Sequence, residues 1–419
     1  MDIAQQDIAP PTLDLVGAEH YARNGYPHTE WTWLRQHAPV FWYDRPDVNP
    51  FWAITKHADI IEIGKQPTVF LNAPRVAVFT NDLPPPAEGR HLLNMDPPDH
   101  ARYRRVTSHW FTPRGVRAMD DKVARVTADV IDEAAQLSEG DFVREISAKI
   151  TIAVIAEMLG VPRQDWDLLF RWTNEIIAPQ DPEFQHGTPH ETMEGARLDL
   201  FKYFNELVER RRAEPTDDIG SIVANAEVNG TQLPTLELLS YYFLLVVAGN
   251  ETTRNAMTGG MLAFLENPDQ WSLLRRDPTR IDAAVEEICR WTTPVIQFAR
   301  TATRDYTLRG QTIREGQSVC LYYASGNRDE EIFDEPFAFR IDRDPNPHIA
   351  FGMGEHVCLG AHLARLELRH AFTQLQQRLD ACELSGPVER ARSSFVGGIK
   401  HAPMRWTIAA ATNGTRNPG

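Results

Sequence analysis

One cysteine in a glycine-rich stretch is the first candidate for chemistry in this sequence. The stretch "FGMGEHVCLG", residues 351–360, places Cys358 just before the helical pattern "LGAHLARLELRHAFTQLQQRL". A thiol near a helix N-terminus is stabilised as a thiolate, which is a ligand for soft metals. The other cysteines, Cys289, Cys320 and Cys382, are too scattered for a disulfide framework or a CxxC metal site. A macrocycle that supplies the remaining metal ligands, with cysteine as the axial ligand, therefore fits best.

A second candidate is the polar motif "AGNETT", residues 248–253, which interrupts an apolar helical pattern. Glycine costs about 1 kcal/mol relative to alanine in a helix, and an unpaired buried carboxylate costs more. Gly249 would let a neighbouring group approach the backbone. The Thr252 hydroxyl can bond a carbonyl one turn back and open a bulge, and Glu251 could pass protons. The alternative is that one helix ends here and that Asn250 or Thr252 caps another.

Two further motifs place charged residues on one helical face. In "EEICRW", Glu287 and Arg290 stand three residues apart, and in "MDPPDHARYRR", His100 and Arg104 stand four apart. His100 and Arg104 together can bind an anion. The simpler interpretations are a surface ion pair for the first motif and a solvated basic helix for the second.

Helical periodicity recurs along the chain, whereas strand-like runs fall in two places. The helical patterns are "HTEWTWLRQH", "DHARYRRVTSHWF", "VRAMDDKVARVTADVIDEAAQL", "ISAKITIAVIAEMLG", "RLDLFKYFNELVERRR", residues 234–267 and residues 280–291. The strand-like runs are "PVFWYD" with "FWAITK", and "FARTATRDYTLRGQTIREGQSVCLYY". These patterns predict a mainly α protein with a small β lobe. Residues 234–267 should run through its centre, because the part before the polar motif is apolar on nearly its whole circumference.

The charge and the N-terminus exclude some classes of protein. A formal charge of −15 argues against a nucleic-acid-binding protein, which needs an excess of Lys and Arg on at least one face. The opening "MDIAQQDIAPPTLDL" has neither an apolar core nor a basic leader, so it predicts no signal peptide and no membrane anchor. We therefore expect a cytoplasmic protein that does not bind membranes.

The four motifs together resemble the cytochrome P450 family, in which a cysteine ligates haem. "FGMGEHVCLG" is similar to the haem-binding loop, "EICR" to the Glu-x-x-Arg element, "AGNETT" to the oxygen-binding helix motif, and "MDPPDHARYRR" to a helix beside the haem edge. The resemblance runs from about residue 15 to residue 408. Other stretches, such as "NRDEEIF" and "SFVGGIKHAPMRW", are similar to soluble bacterial members in the branch that contains the α-terpineol hydroxylase.

This resemblance implies a single catalytic domain over residues 1–419, a helical bundle around haem b with a small β lobe and with flexible ends at 1–14 and 410–419. It makes Cys358 the iron ligand and Glu251 with Thr252 the acid and alcohol pair that delivers protons during oxygen activation. Glu287 and Arg290 become a buried structural pair. The residues implied to contact the cofactor are His100, Arg104, Arg300 and His356 at the propionates, with Phe351, Ala248 and Gly249 beside the ring.

The implied activity is insertion of one atom of dioxygen into a C–H bond of a small apolar substrate, a terpenoid or an aromatic hydrocarbon. Sterol side chains, branched lipids, a peroxide-driven enzyme and a non-catalytic haem sensor are the alternatives. NAD(P)H would supply electrons through a ferredoxin reductase and an acidic [2Fe-2S] ferredoxin, which would dock on Arg102, Arg104, Arg105 and Arg114. The implied substrate pocket is apolar and consists of Val78, Phe79, Val247, Ala248, Val295, Ile296, Phe395 and Val396.

Overall fold

The computed structural model describes residues 13–81 and 90–410 of the chain. Most of the two ends predicted to be flexible, residues 1–12 and 411–419, therefore lies outside the described residues. The helices are α1 (Ala18–Asn24), α2 (His28–His37), α3 (His57–Gly64), α4 (Asp99–Arg104), α5 (Pro113–Arg117), α6 (Asp120–Ala134), α7 (Ala148–Leu159), α8 (Trp166–Ile177), α9 (Pro189–Ala213), α10 (Ile219–Ala224), α11 (Thr235–Glu266), α12 (Pro268–Arg276), α13 (Ile281–Thr292), α14 (Tyr323–Gly326) and α15 (Ala361–Arg378).

The strands are short and make up a much smaller part of the molecule than the helices do. They are β1 (Val40–Tyr43), β2 (Phe51–Ile54), β3 (Phe70–Leu71), β4 (Glu139–Asp141), β5 (Glu227–Val228), β6 (Thr231–Gln232), β7 (Gln297–Ala302), β8 (Tyr306–Leu308), β9 (Gln311–Ile313), β10 (Ser318–Tyr322), β11 (Leu379–Leu384), β12 (Glu389–Arg390), β13 (Ile399–His401) and β14 (Pro403–Ile408). The prediction of a mainly α fold with a small β part is confirmed.

Helix α11 runs for 32 residues and forms the centre of the helical part. It begins after Pro234 and ends before Asn267, where Pro268 starts α12. It packs against α7, α8, α9, α13 and α15, so other helices cover it on several sides. The polar motif lies in its middle, and the alternative that a helix ends at the motif is therefore wrong. Within residues 13–81 and 90–410, no helix has the length and apolar character that a membrane span requires.

Strands from both predicted groups, together with the unpredicted β3, form one five-stranded sheet, whereas β8 and β9 of the second group form a separate two-stranded sheet. The five-stranded sheet has the strand order β1-β2-β10-β7-β3, with β10 parallel to β2 and antiparallel to β7. All residues of β10 are buried, which explains its continuous apolar run. A second sheet, β11-β14-β4, was not predicted. Its strand β4 has the sequence Glu-Gly-Asp, which carries no strand-like pattern.

The helix predicted from residue 99 is interrupted. α4 ends at Arg104, a 3-10 turn follows at Ser108–Phe111, and α5 begins at Pro113. Thr112 starts α5 as an N-cap, because its side chain accepts a hydrogen bond from the backbone N–H of Gly115 and proline occupies the first helical position. The break lets Ser108, Phe111, Thr112 and Pro113 line the same cavity as Cys358.

Candidate active site

Cys358 lies in a loop that glycines shape, immediately before α15. Gly352 and Gly354 have φ values of 71° and 77°, which residues with a side chain rarely adopt. A Cβ atom on Gly354 would also collide with the carbonyl oxygen of Gly64. The backbone N–H of Cys358 donates to the carbonyl oxygen of Phe351 at 2.8 Å. The loop therefore holds the thiol in a fixed place near the start of a helix.

The Cys358 side chain is exposed to a cavity of about 460 Å³. Surrounding protein desolvates the thiol and raises its pKa, whereas the backbone N–H of Gly360 and the charges of Arg104 and Arg365 lower it. The Arg365 guanidinium also lies 4.3 Å from the centre of the Phe351 ring. A hydrogen-bond donor and two cations therefore stand where a negative sulfur would form.

The four side chains predicted to hold carboxylates converge in one place. The rings of His100 and His356 have centroids 4.0 Å apart. Burial, together with the charges of His100, Arg300 and Arg104, lowers the pKa of His356 to about 2. The His356 Nε2 atom is buried and has no partner among the described residues. One carboxylate approaches this group, that of Glu355, whose Oε1 lies 3.0 Å from His100 Nδ1. Two arginine cations and two uncharged imidazoles, one of them with an unpaired ring nitrogen, fit the two propionates of the predicted haem.

Helix α11 has an open turn at the polar motif. Ala248 is exposed and Thr252 is partly exposed, although Val247 and Glu251 beside them are buried. The Thr252 hydroxyl donates to the Ala248 carbonyl oxygen at 2.9 Å, one turn back as predicted. The helix nevertheless stays α-helical and no bulge opens at this turn. An exposed turn in the middle of a central helix leaves the space that a planar cofactor and a small molecule need.

Gly249 has a different neighbour from the predicted one. A Cβ atom at this position would lie 3.1 Å from the Ile155 Cδ1 atom of α7. The missing side chain therefore allows α7 and α11 to pack closely, and the prediction that Gly249 faces the cofactor is not supported by this geometry.

Glu251 points away from the open turn. Its Oε2 accepts a hydrogen bond from Arg254 Nη2 at 2.5 Å, and Arg254 Nη1 donates to Asn174 Oδ1 of α8 at 3.1 Å. Glu251 Oε1 is buried without a partner among the described residues. Burial raises the pKa of Glu251, while Arg254 and Thr173 lower it. A carboxyl of this kind can carry a proton only if its side chain turns toward Thr252.

Asn250 connects three helices beside the acid. Its Oδ1 accepts from the Thr151 hydroxyl of α7, and its Nδ2 donates to Thr173 Oγ1 of α8, both at 2.8 Å. Sequence reasoning missed Arg254, Thr173 and Asn174. A charged pair three residues apart inside an apolar helix could have revealed Arg254. No motif could have revealed the two residues of α8, since that helix was not predicted.

Glu287 and Arg290 form a fully buried pair on α13. Arg290 Nε and Nη2 donate to the two Glu287 oxygens at 2.8 and 2.7 Å. The remaining Arg290 donors reach the backbone carbonyls of Asn327, Pro336 and Ala338 at 2.9 to 3.0 Å. The pair therefore ties α13 to the chain that leads into the cysteine loop.

The predicted pocket residues separate into two groups. Phe79 and Phe395 lie with ring centroids 5.9 Å apart and line a second cavity, together with Thr80, Ile176, Ile177, Pro179, Gln180, Met193, Arg392, Ser393 and Ser394. Val78 and Ile296 instead lie in the hydrophobic core with 0% of their surface exposed. Since they reach no open space, direct contact with a substrate would require the core to open, and the geometry does not support them as pocket walls.

The other predicted pocket residues lie between these two groups. Val295 pairs with Val396 through an isolated β-bridge, and this bridge fixes the turn that carries Phe395. Val396 and Val247 are buried, whereas Val295 is partly exposed. Phe298, which was not predicted, lies 5.4 Å from Phe395 between ring centroids. Aromatic and aliphatic side chains thus dominate this region, as expected for an apolar ligand.

The arginines predicted to dock a partner have different environments. Arg105 and Arg114 are exposed and have no ion-pair partner in residues 13–81 and 90–410. Arg102 pairs with Asp99 at 3.1 Å. Arg104 donates to the Val357 carbonyl oxygen at 2.7 Å, next to the cysteine, so it belongs to the interior of the site.

Comparisons with known proteins were made for the whole chain. The family model described as "Cytochrome P450" matches residues 10–396. The steroid C26-monooxygenase of Mycolicibacterium smegmatis is 38% identical over 405 residues, covering 94% of this chain and 93% of that protein. Cytochrome P450-terp of a Pseudomonas species is 35% identical over 420 residues, covering 93% of this chain and 98% of that protein.

A solved structure has the same fold. Mycobacterium marinum cytochrome P450 CYP268A2 in complex with pseudoionone is 35% identical to the chain. The two structures match with a TM-score of 0.88, over 94% of this chain and 98% of that one. The fold and the sequence therefore agree on one family.

Proposed function

The chain belongs to the cytochrome P450 family and is a monooxygenase, and from this premise we propose that it inserts one oxygen atom into a C–H bond of a small terpenoid. The observation that carries the proposal is the arrangement around Cys358. A loop-held thiol, a cluster of arginines and histidines and an open turn of α11 would supply an iron ligand, sites for two carboxylates and free space for a ring and a small molecule.

The family uses haem, and the residues present fit haem b. Cys358 would hold the iron, while His100, Arg104, Arg300 and His356 would hold the propionates. Haem bound in this way supplies the iron at which dioxygen is reduced. The protein's own contribution is to exclude water, to orient the substrate and, once the Glu251 side chain turns from Arg254 toward the open turn, to pass a proton from its carboxyl to the Thr252 hydroxyl.

The cavity beside Phe79 and Phe395 supports an apolar substrate. Ile176, Ile177 and Met193 complete its apolar walls, and Ser393 and Ser394 add hydroxyl groups. Apolar burial would therefore drive binding, and one hydrogen bond could orient an alcohol or a carbonyl. The similarity to cytochrome P450-terp and to a protein crystallised with pseudoionone supports a terpenoid. A steroid is the second candidate, because the chain is similar to a steroid C26-monooxygenase to about the same degree.

Electrons have to come from outside the site. We propose a [2Fe-2S] ferredoxin as donor, reduced by NAD(P)H through a ferredoxin reductase in the cytoplasm. Arg105 and Arg114 support this choice, because they are exposed cations on a chain of formal charge −15. Thr112 and Pro113, which precede Arg114, line the same cavity as Cys358, so the cations lie on the cysteine side.

An optical titration tests the substrate proposal. The ferric holoprotein is titrated with α-terpineol, p-cymene, a polycyclic aromatic hydrocarbon and a sterol. A saturable shift of the Soret band to shorter wavelength with α-terpineol or p-cymene supports the proposal, whereas a shift with the polycyclic aromatic hydrocarbon alone contradicts it. A shift with the sterol alone favours the steroid candidate and contradicts the terpenoid.

A turnover experiment then tests the source of the electrons. Product formation with NAD(P)H, reductase and ferredoxin is compared with product formation from hydrogen peroxide alone. Turnover that needs the ferredoxin supports the proposed monooxygenase cycle. Equal turnover with peroxide would contradict a role for the acid and alcohol pair.

A further inference from the structure

A cluster of charged side chains joins the two walls of the apolar cavity. One wall contains Ile176 to Gln180, at the end of α8 and the start of the α8–α9 loop (residues 178–188). The opposite wall contains Arg392 to Phe395, in the turn between β12 and β13. The cavity between them has a volume of about 70 Å³. Ligand sites usually measure about 300–1,000 Å³, so the walls must separate before a substrate can enter here.

Asp181 is the central residue of the cluster. It follows Gln180 directly and is only 1% exposed. Its Oδ1 lies 3.0 Å from Lys400 Nζ of β13, and its Oδ2 accepts from the backbone N–H of Arg392 at 3.1 Å. A buried carboxylate with a cationic partner is costly to separate from that partner. Asp181 therefore holds the α8–α9 loop against the opposite wall.

Glu183 makes a second connection two residues along the loop. Its carboxylate lies 2.9 Å from His401 Nε2 and 3.3 Å from Lys400 Nζ. His401 Nδ1 lies 2.6 Å from Asp141 Oδ2 of β4. Each ring nitrogen of His401 thus faces a carboxylate, which requires a protonated imidazole that donates from both nitrogens.

We propose that Asp181 and Glu183, with Lys400 and His401, form an ionic latch that holds the α8–α9 loop closed over the cavity and limits substrate entry. The latch rests on the proposed function in one respect, namely that the cavity admits the substrate. Breaking the latch lets the loop leave the β12–β13 turn and opens the cavity between Ile177 and Phe395.

Protonation of His401 controls one half of the latch. The charged groups that surround it are Asp141 on β4, Asp181 and Glu183 on the loop, Lys400 beside it on β13 and Glu389 on β12. Burial lowers the pKa of His401, but the hydrogen bonds to Asp141 and Glu183 outweigh that effect and raise it above the usual 6.5. The imidazolium therefore persists at pH values at which an unperturbed histidine has already lost its proton. It is lost as the pH rises through the raised pKa, and the loop should open more often on the alkaline side.

Hydrogen exchange of residues 178–188 tests the latch without a substrate. The holoenzyme is compared with His401→Gln, Glu183→Gln and Lys400→Met by mass spectrometry, with rates corrected for the intrinsic effect of pH. We expect exchange in this loop to rise about threefold in His401→Gln and Glu183→Gln, whose contact is partly exposed. It should rise further in Lys400→Met, which leaves the buried Asp181 without its cationic partner. The double variant Glu183→Gln/His401→Gln should rise by less than the product of the single effects, because both break one contact.

Arg405→Gln is the matched control. Arg405 on β14 pairs with Glu139 of β4 and Glu383 of β11, so it lies in the same sheet as Asp141 but does not touch the loop. Loop exchange should stay unchanged in this variant. The wild-type loop should exchange faster as the pH rises above neutrality, and His401→Gln should lack this dependence. Unchanged exchange in all loop variants, or an identical pH dependence in His401→Gln, would overturn the latch.

Stopped-flow binding separates the latch from the proposed function. α-Terpineol should associate about threefold faster with His401→Gln than with the wild type, and faster still with Lys400→Met, as followed by the Soret band. Faster loop exchange without any α-terpineol binding would leave the latch in place and contradict the terpenoid proposal. Normal α-terpineol binding at an unchanged rate in all the variants would overturn the latch and leave the proposed function in place.

Discussion

At the scale of single residues, the site combines one anion-forming group with an excess of cations. Cys358 is held by its backbone N–H and by Gly352 and Gly354, whose conformation requires glycine. His356 Nε2 is buried and unpaired among the described residues. An unpaired buried polar group costs about 1–3 kcal/mol. A propionate of the proposed haem would satisfy this nitrogen if it carries the ring proton.

Removing the Thr252 hydroxyl should uncouple the reaction. In Thr252→Ala we expect normal substrate binding but loss of most product per NAD(P)H, with the electrons recovered as hydrogen peroxide. The reason is that this hydroxyl is the polar group at the open turn of α11. Product and peroxide are measured against NAD(P)H consumed. Thr252→Ser keeps the hydroxyl and should restore much of the coupling, and unchanged coupling in Thr252→Ala would exclude the relay.

The buried carboxyl of Glu367 predicts that the stability of the folded protein depends on pH. Glu367 on α15 is 2% exposed, and its Oε2 has no partner among the described residues. Burial raises its pKa well above the ordinary 4.5. The folded protein then keeps a proton that the unfolded chain has lost, so the stability due to Glu367 falls as the pH rises above 4.5.

Glu367→Gln should remove this dependence. The free energy of unfolding of the variant, relative to the wild type, should grow by up to about 1.4 kcal/mol per pH unit between pH 5 and the raised pKa. Denaturant titrations at several pH values measure it. A difference that stays constant with pH would show that Glu367 is ionised in the folded protein.

At the scale of elements, α11, α13 and the loop that carries Cys358 hold the candidate active site in place. α11 was predictable because its apolar pattern is long and continuous. The β12–β13 turn was not predictable, because contacts with distant residues such as Asp181 fix it. α8 was missed although its sequence WDLLFRWTNEII is amphipathic and signals a helix. Sequence motifs thus identified Cys358 and its neighbours, whereas the partners of Glu251 depend on helix packing that no short motif encodes.

The Glu287–Arg290 pair should be essential for holding these elements together. Arg290→Lys keeps the charge but cannot reach both Glu287 oxygens and three carbonyls at once. We expect a loss of about 3–5 kcal/mol in the free energy of unfolding and poor haem incorporation. The ratio of Soret to protein absorbance and denaturant titration measure the two effects.

Arg280→Lys is the comparison. Arg280 pairs with Asp277 at 3.0 Å, also three residues apart, but both side chains are about 40% exposed. Such a surface pair contributes about 0–1 kcal/mol, so this variant should match the wild type. Equal losses in both variants would contradict a specific role for the buried pair.

At the scale of the whole molecule, charge is distributed unevenly. The chain carries a formal charge of −15, yet Arg105 and Arg114 stand exposed on the cysteine side. Local cations on an acidic protein direct an acidic partner to one face. The proposed function assigns the entry of electrons to the cysteine side and the entry of the substrate to the apolar cavity. These two cavities share no lining residue.

Charge reversal tests the electron side. Arg105→Glu and Arg114→Glu should each raise the KM for the ferredoxin about tenfold while substrate binding stays the same, and the effect should shrink at high ionic strength. Steady-state rates at varied ferredoxin concentration measure it. Lys202→Glu on α9, where the side chain is 77% exposed, should change nothing. If Lys202→Glu raises the KM for the ferredoxin as much as the other two variants do, the effect is one of overall charge and not of a docking face.

The optical spectrum of the reduced carbon monoxide complex tests the central claim most directly. The wild type and Cys382→Ser, which alters a cysteine remote in sequence from the loop, should both show the red-shifted Soret band of thiolate-ligated haem. Cys358→Ser should bind haem without that band and lose NAD(P)H-dependent product formation. A thiolate spectrum that persists in Cys358→Ser, or that disappears in Cys382→Ser, would contradict the assignment of Cys358 as the iron ligand.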